Sequence, residues 1–254
     1  MNKVEFGKLD KLEYSINEAY KTLRTNLSFC GDDIKVILLT SCTPNEGKST
    51  VSIRLSQALA EDNKKVIIVD ADLRKSVLIG RHGITGEKTI KGLSHYLSGQ
   101  ASLDDVICET NIDGMHTIFA GPTTPNPTEL LGNKYFARMI DKLKESYDYV
   151  IIDAPPLGSV IDAAIITKVC DGAILVIENN VISYRFAQDV KKQLEMTECK
   201  ILGAILNKVD TSKKGYYSGY YNGYYKKRYY GGYGRKYGQY GQYQKYGEYG
   251  NTDK

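Results

Sequence analysis

The sequence predicts an α/β domain, a mainly parallel central sheet with helices on both faces, followed by a disordered C-terminal tail. Three observations carry this expectation. Short, nearly continuous apolar runs recur up to Val209, helix-length segments alternate with them, and after Val209 the composition collapses into Gly, Tyr and Lys repeats. Strands that are apolar on both faces suit a sheet covered on both sides, and strands alternating with helices mean parallel βαβ units.

In chain order, Ser15-x-x-Glu18 reads as a capping box that opens a helix over about residues 15–29. At about 100° per residue, Ile16, Tyr20, Leu23 and Leu27 fall on one stripe, while Glu18, Lys21 and Arg24 share a neighbouring face. One side packs; the other is either solvated or free to meet something. Strands are predicted at Val36–Leu39, Val66–Val69, His116–Phe119, Tyr149–Ile152, Ala173–Ile177 and Ile201–Leu206. Helices are predicted at Lys48–Glu61, Thr128–Ser146, Val160–Val169 and Ser183–Met196. One compact domain over 1–212 and an appendage over 213–254 follow.

The 254 residues carry 34 Lys and Arg against 30 Asp and Glu, a net charge of +4, which excludes a wholly acidic or basic chain. The balance is uneven. The 40 residues from Gly215 onward hold seven Lys/Arg and two Asp/Glu, a net of +5, so the preceding 214 carry −1. Those 40 also hold 14 of the 21 tyrosines and ten of the 24 glycines, with no Val, Ile, Leu, Met or Phe. Such a segment buries too little apolar surface to offset chain entropy, hence the expectation of disorder.

No apolar run approaches the roughly 18–20 residues that cross a bilayer, and the N-terminus lacks the apolar stretch of a signal peptide. A soluble, cytoplasmic protein is expected. The five cysteines, Cys30, Cys42, Cys108, Cys170 and Cys199, stand far apart without a CxxC pair, and His82, His95 and His116 lack ligand-like spacing. Reduced thiols are expected, and a catalytic transition metal is not.

Directly after the first predicted strand comes Ser41-Cys42-Thr43-Pro44-Asn45-Glu46-Gly47-Lys48-Ser49-Thr50, then a helix. Strand, phosphate loop and helix in this order make the domain P-loop NTPase-like. Successive backbone N–H groups and the helix N-terminus cradle anionic oxygens, Lys48 supplies a point charge to the β- and γ-phosphates, and the Ser49 hydroxyl can ligate Mg2+. Cys42 stands where the usual pattern has its first glycine. The second strand ends in Asp70-Ala71-Asp72-Leu73-Arg74 and a later one in Asp153-Ala154-Pro155-Pro156. In a parallel sheet these carboxylates leave the edge that carries the phosphate loop. Mg2+ takes oxygen ligands and keeps several waters, so Asp72 and Asp153 are expected to act on it directly or through water. A single Asp at a strand end is most often a turn former; three beside a phosphate loop point to nucleotide hydrolysis or transfer.

These residues resemble a family. The phosphate loop, VIIVDADLR and VIIDAPP, with the Glu18/Arg24 helix and the tyrosine-rich tail, are similar to the bacterial tyrosine kinases (BY-kinases) of capsule and exopolysaccharide operons, over nearly the whole chain. Gly121-Pro122 and Pro125-Asn126-Pro127-x-Glu129-Leu130-Leu131 resemble the family's linking segment. The resemblance implies ATP held by Lys48, Ser49 and Thr50, Mg2+ served by Asp72 and Asp153, and Asp70 facing the attacking tyrosine hydroxyl. An ordinary Asp near ~3.9 is a weak base for a phenol near ~10, so Asp70 is expected to orient the hydroxyl more than to deprotonate it. The family's interface motif, Glu-x-x-Arg-x-x-Arg, here reads Glu18-x-x-Lys21-x-x-Arg24, and lysine lacks the planar fork of arginine. In the family this helix joins subunits into a ring, an octamer, that offers each tail to a neighbour's active site.

The acceptors implied are Tyr216, Tyr217, Tyr220, Tyr221, Tyr224, Tyr225, Tyr229, Tyr230, Tyr233, Tyr237, Tyr240, Tyr243, Tyr246 and Tyr249. Each phosphate adds about −1.5 to −2 charge, so four would turn the tail negative, and the resulting repulsion is expected to dismantle a ring. The resemblance further implies a membrane-bound polysaccharide co-polymerase that activates the kinase at the inner face of the cell membrane, and a cognate tyrosine phosphatase. Rival readings differ in class. A partitioning or cell-division ATPase shares the fold and carboxylates, but Thr43 stands where those carry a second lysine. Asn207-Lys208-Val209-Asp210 formally matches a guanine signature, whereas the resemblance assigns Asn207 to the adenine. The tail's mix of Tyr and Lys/Arg also suits single-stranded RNA, but it lacks RGG repeats, and no nucleic-acid partner is expected.

Overall fold

The computed structural model describes residues 1–210 apart from Lys8, Asp10, Glu87 and Lys88. The expected tail from residue 213 onward, with all 14 of its tyrosines, lies outside the described residues.

Among the described residues, nine strands form one sheet: β1 (Asn2–Phe6), β2 (Val36–Ser41), β3 (Val66–Asp70), β4 (Ile84–Gly86), β5 (Cys108–Thr110), β6 (Met115–Ile118), β7 (Tyr149–Asp153), β8 (Gly172–Glu178) and β9 (Ile201–Asn207). Their spatial order is β4-β1-β5-β6-β3-β7-β2-β8-β9. The six strands from β6 to β9 in that order run parallel. The remaining edge mixes directions, since β5 is antiparallel to β6 and β4 to β1. The helices are α1 (Tyr14–Ser28), α2 (Lys48–Ala60), α3 (Leu78–His82), α4 (Leu93–Leu97), α5 (Leu103–Val106), α6 (Pro127–Leu131), α7 (Lys134–Ser146), α8 (Asp162–Ile166) and α9 (Tyr184–Glu195).

Side chains alternate between the faces of a strand, and this divides the core into two layers. Val36, Leu38, Ile67, Val69, Val150 and Ile152 face Phe136, Met139 and Leu143 of α7 and Val190 and Leu194 of α9. Ile37, Leu39, Val66, Ile68 and Ile151 face Val51, Leu55 and Leu59 of α2 and Leu27 of α1. Burial of one such side chain contributes about 1.5–3 kcal/mol, which locks strand register: a one-residue slip would exchange the two faces.

Four expectations need correction. The strands β1, β4 and β5 were not among those predicted. In β1, Val4 and Phe6 are buried while Lys3 and Glu5 are exposed, an alternating pattern that a search for continuous apolar runs passes over. The predicted helix Thr128–Ser146 is two helices, because Asn133 caps α7 by accepting from the N–H of Tyr135. The capping box at Ser15 does not form. The helix begins at Tyr14, so Ser15 lies inside its first turn, and its N-cap Glu13 makes no side-chain cap hydrogen bond. The apolar stripe of α1 also packs only in part: Leu27 is buried and Tyr20 and Leu23 are half-buried, but Ile16 is 43% exposed.

Candidate active site

Six parallel strands end on one edge of the sheet, and the loop between β2 and α2 lies at that edge. Gly47 is the N-cap of α2 and has φ +87°; a Cβ there would lie 2.2 Å from Asn207 Nδ2, so only glycine fits. Asn45 also sits in the left-handed region, at φ +70°, which asparagine tolerates. Pro44 and Asn45 form the exposed rim, Thr43 and Thr50 are half-buried, and Ser49 is buried in the first turn of α2. Cys42 is fully buried, and burial together with the nearby Glu46 charge pushes its thiol up to about 12, which makes it inert. Its carbonyl explains a second glycine: a Cβ on Gly158 would lie 2.3 Å from Cys42 O.

The spacing of the motif assigns Glu46 to the loop but not what its side chain does. The carboxylate folds inward and is 1% exposed. It accepts from the N–H of Thr43, from Thr43 Oγ1 at 3.0 Å and from the N–H of Glu178, at the end of β8, at 2.8 Å. A buried charge needs such partners, so Glu46 ties the loop to the sheet.

Lys48 Nζ lies 2.6 Å from Asp153 Oδ1 and 3.5 Å from Ser49 Oγ, and Ser52 Oγ donates to the same Asp153 oxygen at 3.3 Å. Register places Asp70 directly opposite Asp153 on adjacent strands. Both are 1% exposed. Burial, then the charge of Asp153, raises the Asp70 carboxyl to about 7 against the opposing effects of the Ser76 hydroxyl, Lys48 and the N–H of Asp72. The expectation of an ordinary aspartate is therefore corrected: the gap to a phenol near ~10 narrows to roughly three units. Ser76, which donates to Asp70 Oδ2, is a contact that no motif spacing announced.

Asp72 is placed differently. It is half-buried, and its Oδ1 accepts from the N–H groups of Arg74 at 3.3 Å and Lys75 at 3.0 Å, closing the turn after β3. Arg74 crosses to Asp162 at the start of α8, with Nε 2.6 Å from Oδ2 and Nη2 2.9 Å from Oδ1. Thr128 of α6 donates to Asp162 Oδ1 at 2.7 Å. Burial pushes the Asp162 carboxyl up, but these hydrogen bonds and the guanidinium charge prevail and hold it below its usual range. Asn207 Nδ2 donates to Glu46 O at 2.8 Å, so its amide braces the phosphate loop.

The structure thus brings Lys48, Ser49, Asp70 and Asp153 together, with Asp72 at the rim and Asn207 behind the loop. Glu18, Lys21 and Arg24 lie on α1. Lys21 pairs with Glu18 at 2.8 Å, whereas Arg24 is bound to α2, donating to Ala58 O at 2.9 Å in its last turn. Two buried carboxylates against one ammonium leave an uncompensated negative charge that suits a hard cation. Among the described residues no three His, Cys, Asp or Glu form a metal cage. A hydroxyl and one or two carboxylates, completed by substrate phosphates, is the form in which Mg2+ is usually held.

Comparison with known proteins agrees with this geometry. Residues 34–202 match the family described as the AAA domain. The tyrosine-protein kinase CpsD of Streptococcus agalactiae serotype III (strain NEM316) is 46% identical over 199 residues, 78% of this chain and 85% of that protein. Among solved structures, the chimerical protein CapA2B2 is 30% identical with a TM-score of 0.74, covering 81% of this chain and 94% of that one. The kinase domain of Escherichia coli tyrosine kinase ETK is 32% identical with a TM-score of 0.73, covering 79% and 78%. The septum site-determining protein MinD from Pyrococcus horikoshii, complexed with Mg-ADP, stands further off, 28% identical with a TM-score of 0.59 over 70% and 72%.

Proposed function

The chain belongs to the bacterial tyrosine-protein kinases of capsule synthesis, and from that premise we propose that it phosphorylates the tyrosines of its own C-terminal segment, between copies held in a ring. The observation that carries this reading is the buried Lys48–Asp153 pair with Asp70 beside it at the head of α2. Lys48 is placed to exchange Asp153 for the phosphates of ATP, and the N–H groups at the start of α2 face the same anion. Mg2+, held by Ser49, Asp153 and, at the rim, Asp72, would neutralise charge developing on the transferred phosphoryl group. Asp70, raised to about 7, accepts a hydrogen bond from the incoming tyrosine hydroxyl and takes its proton late in the transfer. The bond to the leaving ADP oxygen breaks as the tyrosine oxygen bonds to phosphorus.

The acceptors are Tyr216 to Tyr249. Their spacing by glycine lets each reach a neighbouring site, and their number raises the local acceptor concentration. Glu18 and Lys21 of α1 form the contact between copies, and the exposed Tyr14 and Ile16 beside them add apolar area. No described helix is long and apolar enough to cross a membrane, which fits a kinase brought to the membrane's inner face by a separate activator, a polysaccharide co-polymerase, and reset by a phosphatase.

Intact mass after incubation with Mg-ATP tests this. Lys48→Met, inactive but with its tail intact, is mixed with an active copy whose 14 tail tyrosines are Phe. Phosphate added to the Lys48→Met chain supports transfer between copies. ADP release with no added mass in the native chain would instead favour an ATPase of the partitioning type.

A further inference from the structure

The phosphate loop is also gripped by residues at the ends of β8 and β9. Where β9 ends, Asn207 Nδ2 donates to Glu46 O at 2.8 Å, and Lys208 Nζ donates to the preceding carbonyl, Asn45 O, also at 2.8 Å. The same ammonium is 2.8 Å from Glu178 Oε2 at the end of β8. Glu46 returns the contact by accepting from the N–H of Glu178 at 2.8 Å. Lys208 holds φ +57°, a left-handed conformation uncommon outside Gly, Asn and Asp. The missing Cβ of Gly47 leaves room for the Asn207 amide, whose Nδ2 would lie 2.2 Å from it.

The peptide group is planar and trans, so its C=O and N–H point in opposite directions. The carbonyls of Asn45 and Glu46 share peptide planes with the N–H groups of Glu46 and Gly47. Pinning the two carbonyls toward β9 therefore turns those two N–H groups the other way, into the cradle. Without the pins each plane is free to rotate and to hydrogen-bond water, and a ligand must then meet the cost of ordering it.

We propose that Lys208, together with Asn207 and Glu178, is a positioning residue that presets the phosphate loop for a triphosphate, whatever its base. This rests on the nucleotide reading above and gives the Asn207-Lys208-Val209-Asp210 run, which formally matches a guanine signature, a role that does not depend on guanine. In the sequence, Lys208 precedes Tyr216, the first tyrosine of the C-terminal segment, by eight residues.

The test uses the full chain and competition of Mg-ATP, Mg-GTP and Mg-tripolyphosphate against a fluorescent ADP analogue at fixed salt. Lys208→Met is expected to weaken all three by the same factor, about tenfold, and to raise the KM for ATP while kcat at saturating ATP stays within about twofold. Lys208→Arg, which keeps a charged donor, should recover most of the loss. A fall in ATP affinity with tripolyphosphate unchanged would show a contact to the base and overturn the proposal, as would unaltered affinities for all three. If Lys208→Met does not fold, Glu178→Gln decides on the same readout, with a smaller parallel loss expected and no loss overturning the clamp. Wild-type chain that bound neither nucleotide nor tripolyphosphate would sink the nucleotide reading itself.

Discussion

The carboxyl edge of the sheet and the helix α1 spend their charges in opposite ways. At the sheet edge each contact has a buried charged member and its partner is remote in the chain: Lys48 pairs with Asp153, Arg74 with the buried Asp162, and the buried Glu46 with the backbone of Glu178. On α1, Lys21 pairs with Glu18 three residues away, and both side chains are more than 40% exposed. A buried charge without a partner is costly, so the edge is preorganised for an anion and a cation. An exposed pair is worth little, so α1 can surrender it to another copy at almost no cost. Arg24 is the exception on α1, because its guanidinium is already committed to the end of α2.

The largest test of this contrast is Lys48→Met. It should lower tail phosphorylation by about a thousandfold. It should also cost about 3–5 kcal/mol in urea unfolding, because Asp153 would be left buried and unpaired. An unchanged unfolding midpoint would erase the difference between the two regions.

Asp70→Asn should do the reverse to stability while abolishing activity. In the folded chain Asp70 titrates at about 7, against ~3.9 unfolded. The folded state therefore binds the extra proton, and stability is lost as pH rises through that window. Without magnesium at pH 8, Asp70→Asn should gain up to about 4 kcal/mol, the linkage equivalent of three pK units, and the gain should vanish toward pH 4. Thermal melts across that range would check the sign.

Arg74→Lys keeps the charge but loses the fork that meets both oxygens of Asp162. A loss of about 1–3 kcal/mol is expected at pH 7. Asp162 is held below its usual range, so its contribution is present above ~3.9 and disappears as pH falls through the lower folded value. Wild type and variant should converge in acid. The smallest effect belongs to Lys21→Ala, which should change unfolding by no more than about 0.5 kcal/mol and leave nucleotide affinity untouched. Its measurable consequence should be a smaller particle in light scattering, if α1 joins the copies.

Legibility in the sequence followed locality. The strand, loop and helix around Lys48 were readable because β-branched runs, a glycine turn and a helix-forming stretch are signals within about 25 residues. The carboxylates were readable as strand ends, and β3 and β7 placed Asp70 and Asp153 together as expected. The strand β1 escapes a search for continuous apolar runs because only alternate residues are buried, and the start of α1 differs from the expectation because Ser15 lies inside the helix rather than capping it.

The sequence by itself determined that a phosphate loop would share an edge with three aspartates, since parallel topology follows from alternating periods and all such strands end on one side. Only the tertiary structure decided that Asp70 would be buried against Asp153 and titrate near neutrality, and that Glu46, Asn207 and Lys208 would brace the loop. Those outcomes depend on register and desolvation among residues more than 80 positions apart in the case of Asp70 and more than 130 in the case of Glu46, and neither quantity exists until the sheet has formed.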